Sequence, residues 1–162
     1  MLEHLGAVPI GLPPGAVYEN MEKGVIDGAA FTWDTMDSLK LAEVTKYHLD
    51  AQFYVTTFWF AMNKARYDGL PKNVQACVDK LSGKALAPKF GPWWVEWDRR
   101  GLELVKERKH PIDTLNAQQR AEWQAALKPM VEKYLVGIEA KGIKNARAIY
   151  AKMKEKIASY EK

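Results

Sequence analysis

Three histidines, His4, His48 and His110, are the natural general bases of this chain, and each needs a nucleophile or an orienting carboxylate within reach to do acid–base work. His48 has Asp50 two residues on. Two positions apart at the end of a helix, such a pair reads as a solvated turn, and a hydrolase or isomerase built on His48 would need an acid or nucleophile from elsewhere in the fold. No Gly-x-Ser-x-Gly elbow accompanies the histidines, which lie far apart in sequence. Phosphate-cradling glycine loops and the dinucleotide fingerprint are missing as well. Asp27, Asp34, Asp37 and Asp50 lack the alternating ligand spacing and central glycine of a calcium loop, so they read as caps and turns. Cys77 is the sole cysteine, which excludes an internal disulfide framework and a cysteine-based zinc site. These residues point away from an enzyme, and no metal or cofactor is expected.

The aromatic residues are the other candidates. Trp93, Trp94 and Trp97 sit among charged residues. Positions 93 and 97 share a helix face and 94 points elsewhere, so most of the cluster reads as core or inter-helix packing. Arg99, Arg100 and Lys106 are interleaved with Glu96, Asp98, Glu103 and Glu107, which cancels the field that a nucleic acid would need. Two segments remain: the loop from Ala29 through Phe31 and Thr32 to Trp33, and the stretch that begins Gln52-Phe53-Tyr54. Both follow polar turns, where open α/β sheets bind ligands in apolar clefts with a few polar groups. Core packing accounts for the same residues more simply than a pocket does.

The elements that would carry these residues read as follows. The apolar, Gly-punctuated run 5–10 reads as a strand leading into the Pro13-Pro14-Gly15 stop. A short helix is expected over 16–23, with prolines at its entrance and Gly24 as a left-handed stop. Val25-Ile26 reads as a brief strand before the Asp27-Gly28 turn. Asp34 should cap a helix reaching about Tyr47. Residues 52–63, aromatic and β-branched without Gly or Pro, give the strongest strand signal, expected as a central strand covered on both faces. Helices follow over 71–81 and about 84–109, the second with Pro88 and Pro92 to kink it or mark separate starts. Pro111-Ile112 reads as a short strand, Asn116 with Gln119 as a capping box opening a helix to about Val136, and Asn145 as the start of a last helix fraying near Lys162. The class is α/β, helix-rich, with few strands at irregular positions and a sheet that an upstream segment would complete.

The composition agrees with a globular chain: 162 residues, 48% hydrophobic and 27% charged, give one sizeable core. The most apolar run, 53–62, is too short to span a bilayer. The opening Met1-Leu2-Glu3-His4 shows no signal peptide. The net charge is +4, and the last 22 residues hold seven Lys/Arg against two Glu. A solvated helix face explains that excess more simply than nucleic-acid binding. Ala148, Ile149, Met153 and Ile157 form an apolar stripe in the same segment, so a helical interaction module docking through its basic C-terminal helix is the competing expectation.

The order and spacing of several short motifs carry a resemblance. Leu5-Gly6-Ala7 and Pro9 are followed by Tyr18, then by Gly24-Val25-Ile26-Asp27-Gly28, by Glu43-Val44 with Lys46-Tyr47, and by Leu70-Pro71 with Val74-Gln75. Together they resemble the DctP family of TRAP-transporter substrate-binding proteins, most strongly over 5–80. The resemblance implies a periplasmic binding protein-like fold of two α/β lobes joined by crossing strands and a long helix. This chain would supply the second lobe with C-terminal helices, an incomplete two-lobe fold. Residues 1–51 would belong to ligand-binding lobe II, 52–110 to the crossing strand, a first-lobe element and the hinge helix, and 111–162 to the C-terminal helices.

The resemblance also implies a function: capture of an organic acid by lobe closure, in the periplasm, for delivery to TRAP membrane permease subunits. The family's principal carboxylate-clamping arginine lies upstream of the Leu5-Gly6-Ala7 motif, and this sequence begins after it. Phe31 falls where many members carry a polar ligand contact, Pro14 where some place an aromatic wall, and Phe53 at a pocket-facing strand entrance. With Trp33 and Tyr54 they imply an apolar pocket, and hence an acid with an apolar or aromatic body. Unpaired edge strands would also favour a homodimer by strand exchange.

Overall fold

The computed structural model describes residues 1–54 and 56–160. They divide into two compact units, Leu12–Thr114 and Met1–Gly11 with Leu115–Lys162.

In the first unit the two prolines start a 3-10 turn, Pro14–Ala16, that runs into helix α1, Val17–Glu22. The expected stop at Gly24 forms: φ is 67°, and the Gly24 and Val25 N–H groups donate to the Met21 and Asn20 carbonyls at 3.1 and 2.8 Å. Val25 and Ile26 do not make the expected strand, because both of their N–H groups are spent on the Asn20 carbonyl at the end of α1. The expected helix to Tyr47 is broken in two, α2 (Thr35–Ser38) and α3 (Leu41–Val44), at Lys40, whose φ is 56°. The break has a packing reason. On one continuous helix Met36 and Leu41 would point about 140° apart, yet both are buried in the same core with Val17, Ala42 and Val105.

Strand β1, His48–Asp50, follows. Helices α4 (Lys64–Asp68), α5 (Lys72–Leu81) and α6 (Ala87–Glu107) come next, the last two where the sequence places them. Pro88 occupies the first turn of α6, where an N–H is free in any case, and Pro92 is carried inside the helix without splitting it. Strand β2, Ile112–Thr114, is at the expected place and pairs with β1 in parallel, His48 opposite Ile112 and Asp50 opposite Thr114. A solvated turn at His48 and Asp50 is therefore replaced by a strand.

Residues 52–63 are a correction. Among the described residues they join no sheet, and Phe58, Trp59 and Phe60 are 61%, 91% and 88% exposed, so the doubly covered central strand does not form. Strand propensity is a preference for a pleated, half-buried surface, and no neighbouring strand supplies that surface here. Val55 lies outside the described residues.

In the second unit Leu2–Leu5 is a 3-10 turn closed by Gly6 at φ 86°, not the expected strand over 5–10; Val8 and Ile10 stay exposed and Pro9 offers no donor. The turn packs on helix α7, Ala117–Ala140. The capping box that opens α7 is present: Gln119 N–H donates to Asn116 Oδ1 at 2.9 Å and Asn116 N–H to Gln119 Oε1 at 3.0 Å. The last helix, α8 (Ala146–Tyr160), is tied to α7 by Arg147, which pairs with Glu132 at 2.7 Å and Glu139 at 3.2 Å. The expected fraying near Lys162 lies outside the described residues. No helix among them is long and apolar enough to cross a membrane.

Candidate functional site

One cavity of about 620 Å³ lies within the first unit, between the segment 52–63 and the N-terminal half of α6. Its first wall keeps the alternation of a strand even without sheet partners: Tyr54, Thr56, Phe58 and Phe60 all face it. Its second wall follows helical spacing, with Phe90, Trp94 and Asp98 four residues apart on one face of α6. The walls touch through aromatic rings. Phe58 and Trp94 have centroids 4.4 Å apart, Phe60 and Phe90 6.0 Å, and Trp94 leans edge-on to Trp97 at 5.3 Å. The tryptophan cluster thus lines and backs a cavity, and Trp93 and Trp97 remain 46% exposed instead of forming a core.

Polar groups are few and concentrated at one end. Asp98 Oδ1 accepts the Asp34 N–H at 3.0 Å, and Thr32 Oγ1 donates to Asp34 Oδ1. Burial pushes the Asp98 carboxyl above the usual carboxylate range, against the hydrogen bond from Asp34 that pulls it down. Burial likewise raises the Tyr54 phenol, opposed by its hydrogen bond with Thr56. Among the described residues no Arg, Lys or His lines the cavity. Gly101 seats α6 against the same loop: a Cβ there would run into the Trp33 carbonyl, whose carbon would be 2.7 Å away. That close approach is what sets Thr32 and Asp34 beside Asp98.

Of the residues singled out from sequence, Tyr54 lines this cavity. Phe53 packs edge-on against Tyr54 at 5.3 Å. Phe31 and Trp33 pack against the core cluster of α1, α2, α3 and α6, and Pro14 is exposed at the start of its 3-10 turn. The structure therefore brings Phe53 and Tyr54 together and puts Phe31, Trp33 and Pro14 off the lining of this cavity. Sequence reading missed Phe58, Phe60, Phe90 and Asp98, and named Thr32 only as part of its candidate loop. Their signal was two periodicities, 54-56-58-60 and 90-94-98, with an acid at the end of an apolar stripe.

His48 and His110 are not separate either. Their rings stack at 5.6 Å with Nε2 of one 3.3 Å from Nδ1 of the other, and Trp33 lies 5.7 Å from His48. Burial first, and His110 second, push the His48 pKa below its ordinary value. The neighbours of His48 are thus a second imidazole and an indole, not the acid or nucleophile that catalysis would need.

The family model for bacterial extracellular solute-binding protein, family 7, named DctP, matches residues 1–136. The chain belongs to this family. A curated DctP relative, the C4-dicarboxylate-binding periplasmic protein of Rhodobacter capsulatus, is 27% identical over 91% of this chain and 44% of its own length. Among solved structures, a marine metagenome TRAP solute-binding protein specific for aromatic acid ligands, in complex with 3-hydroxybenzoate, superposes with a TM-score of 0.88 at 33% identity, over 99% of this chain and 51% of that one. A TRAP solute-binding protein of Rhodoferax ferrireducens in complex with copurified benzoate gives 0.79 at 27% identity, over 95% and 51%. The chain spans about half the length of the DctP relatives it matches. The helix-rich α/β class expected from sequence is the fold these solute-binding proteins share.

Proposed function

We propose that this chain supplies one side of the binding site of a TRAP-transporter solute-binding protein, and that its solute is an organic acid with an aromatic body. The observation that carries this reading is the cavity between Phe58, Phe60 and Tyr54 on one wall and Phe90 and Trp94 on the other. Such walls suit a planar ring, because ring faces and edges gain from stacking in addition to apolar burial. Two solved relatives that hold aromatic acids support the choice. The carboxylate needs a cation, and none lines the cavity among the described residues. In this reading it is clamped by an arginine of the upstream lobe that the family resemblance implies.

The remaining parts of the proposal follow the family. Residues 1–51 contribute to lobe II, 52–110 supply the crossing segment, a first-lobe element and hinge helix, and 111–162 the C-terminal helices. Tyr54 contacts the ring in the cavity with Phe53 backing it, and Phe31, Trp33 and Pro14, off that lining, are proposed to meet the acid from the loop side once the upstream lobe closes on it. Closure of the lobes around the acid stabilises the closed state by its higher affinity for that state. A membrane permease then receives the solute, and the compartment is the periplasm. A two-stranded sheet leaves edges for strand exchange between two copies, which light scattering reads as a doubled mass. A second reading rests on α8, where Ile149, Met153 and Ile157 line an open apolar groove beside Lys152 and Lys156. It makes α8 the docking helix for an acidic surface.

A thermal-shift series separates the readings. Benzoate and 3-hydroxybenzoate at about 100 times their dissociation constants should add about 2.7 kcal/mol of stability, with succinate giving less at equal concentration. A larger shift with succinate than with either aromatic acid contradicts the aromatic assignment.

A further inference from the structure

The polar end of the cavity has a definite hydrogen-bonding character. Asp98 uses Oδ1 to accept the Asp34 N–H at 3.0 Å, and among the described residues its Oδ2 has no partner. Thr32 lines the same end and gives its single hydroxyl proton to Asp34, so its hydroxyl oxygen is left with lone pairs only. Asp98 Oδ2 and the Thr32 hydroxyl oxygen are left as acceptors, and among the described residues no Arg, Lys or His lines this end. An apolar ligand pressed against them would strip their water and return nothing. A carboxylate turned towards them would bring acceptors to acceptors.

We propose that Asp98 and Thr32 make this cavity selective for a hydroxylated aromatic acid: the ring lies between Phe58 and Trp94, its hydroxyl donates to Asp98, and its carboxylate points to the opposite end. This rests on the reading of the cavity as the seat of an aromatic ligand, and goes beyond it by fixing orientation and the required substituent. The geometry also sets the pH dependence. Burial raises the Asp98 carboxyl, and a proton there competes with the ligand hydroxyl for Oδ2, so the preference fades as pH falls through that raised value.

Ring fragments that carry no carboxylate, three neutral and one a cationic amine, test this without involving a carboxylate clamp. The isotopically labelled chain is titrated with 3-methylphenol, toluene, 3-methylanisole and benzylamine while the Trp94 indole N–H is followed by NMR. The expected result is a dissociation constant for 3-methylphenol about tenfold or more below those of toluene and 3-methylanisole, the scale of one hydrogen bond to a charged acceptor. Asp98→Asn keeps Oδ1 for the Asp34 N–H and replaces Oδ2 by a donor, so it should abolish that preference or turn it towards 3-methylanisole. Thr32→Val, a second variant should the first not fold, should narrow the preference by a smaller factor. Equal constants for 3-methylphenol and toluene, or tighter binding of benzylamine, would overturn the hydroxyl selectivity while leaving an aromatic cavity in place. No movement of Trp94 with any fragment would overturn the cavity reading and the selectivity together.

Discussion

Helix α6 is two different objects along its length. Its C-terminal half is built into a core: Val105 is fully buried, Gly101 touches the backbone of Trp33, and Leu41 and Ala42 of α3 belong to the same cluster. Its N-terminal half carries more aromatic surface, yet Phe90 and Trp94 face a cavity and Trp93 and Val95 face outward at 46% and 69% exposure. Apolar content does not decide which half becomes core. Burial requires a partner surface, and in this chain α2 and α3 give one to the C-terminal half, while across the cavity the N-terminal half faces the largely exposed Phe58 and Phe60.

The contrast is most sharply broken at two glycines of this helix. Gly101→Ala should destabilise the chain by roughly 4 kcal/mol, because the new methyl meets a backbone carbonyl that cannot move aside. Its size is read from the urea midpoint. At the other end Gly91 has nothing within 4 Å of where a Cβ would be. Gly91→Ala should therefore stabilise by about 0.5–1 kcal/mol through helix propensity. A loss at Gly91 as large as at Gly101 would mean that the cavity half is packed as tightly as the core half.

Side-chain truncation gives the next largest difference. Leu41→Ala, at 1% exposure, should cost about 3 kcal/mol in transfer and cavity terms. Phe60→Ala removes a larger side chain that is 88% exposed, and should cost less than about 1 kcal/mol. Urea midpoints for the two variants check the order.

How far the sequence disclosed this arrangement depends on how local each cause is. The Gly24 stop, the Asn116 and Gln119 box and the start of α8 at Ala146 were legible because the residues that cause them lie within one turn of the helix end they fix. Residues 52–63 were misread as a covered strand because their propensity is local and their partner is not. The alternation survived, and it now lines a cavity. Strand β1 was missed for the opposite reason: His48, Leu49 and Asp50 have little strand preference, and pairing with Ile112–Thr114 imposes it. That pairing also stacks His48 on His110, a contact 62 positions apart that no spacing rule reveals. Asp98 was taken as a surface charge because its neighbours on the chain are charged, while the hydrogen bond that fixes its role comes from Asp34.

The smallest expected effect concerns the histidine pair. The His48 pKa is lowered by burial and by His110, so the unfolded chain, with His at about 6.5, binds more protons than the folded one. Stability from this site is full above about pH 6.5 and is lost as pH falls through the lowered value. Urea midpoints between pH 7.5 and 5, values set by that window, should decline modestly in the parent chain and less in His48→Gln. An equal decline in both would place the acid sensitivity elsewhere.

Hydrogen exchange with and without 3-hydroxybenzoate tests the location of the ligand most directly. Protection on binding should appear in peptides covering 54–60 and 86–98, with α7 unchanged. Protection confined to α7 and α8, or none at the cavity while binding is independently detected, would contradict the assignment of the aromatic cavity as the binding site.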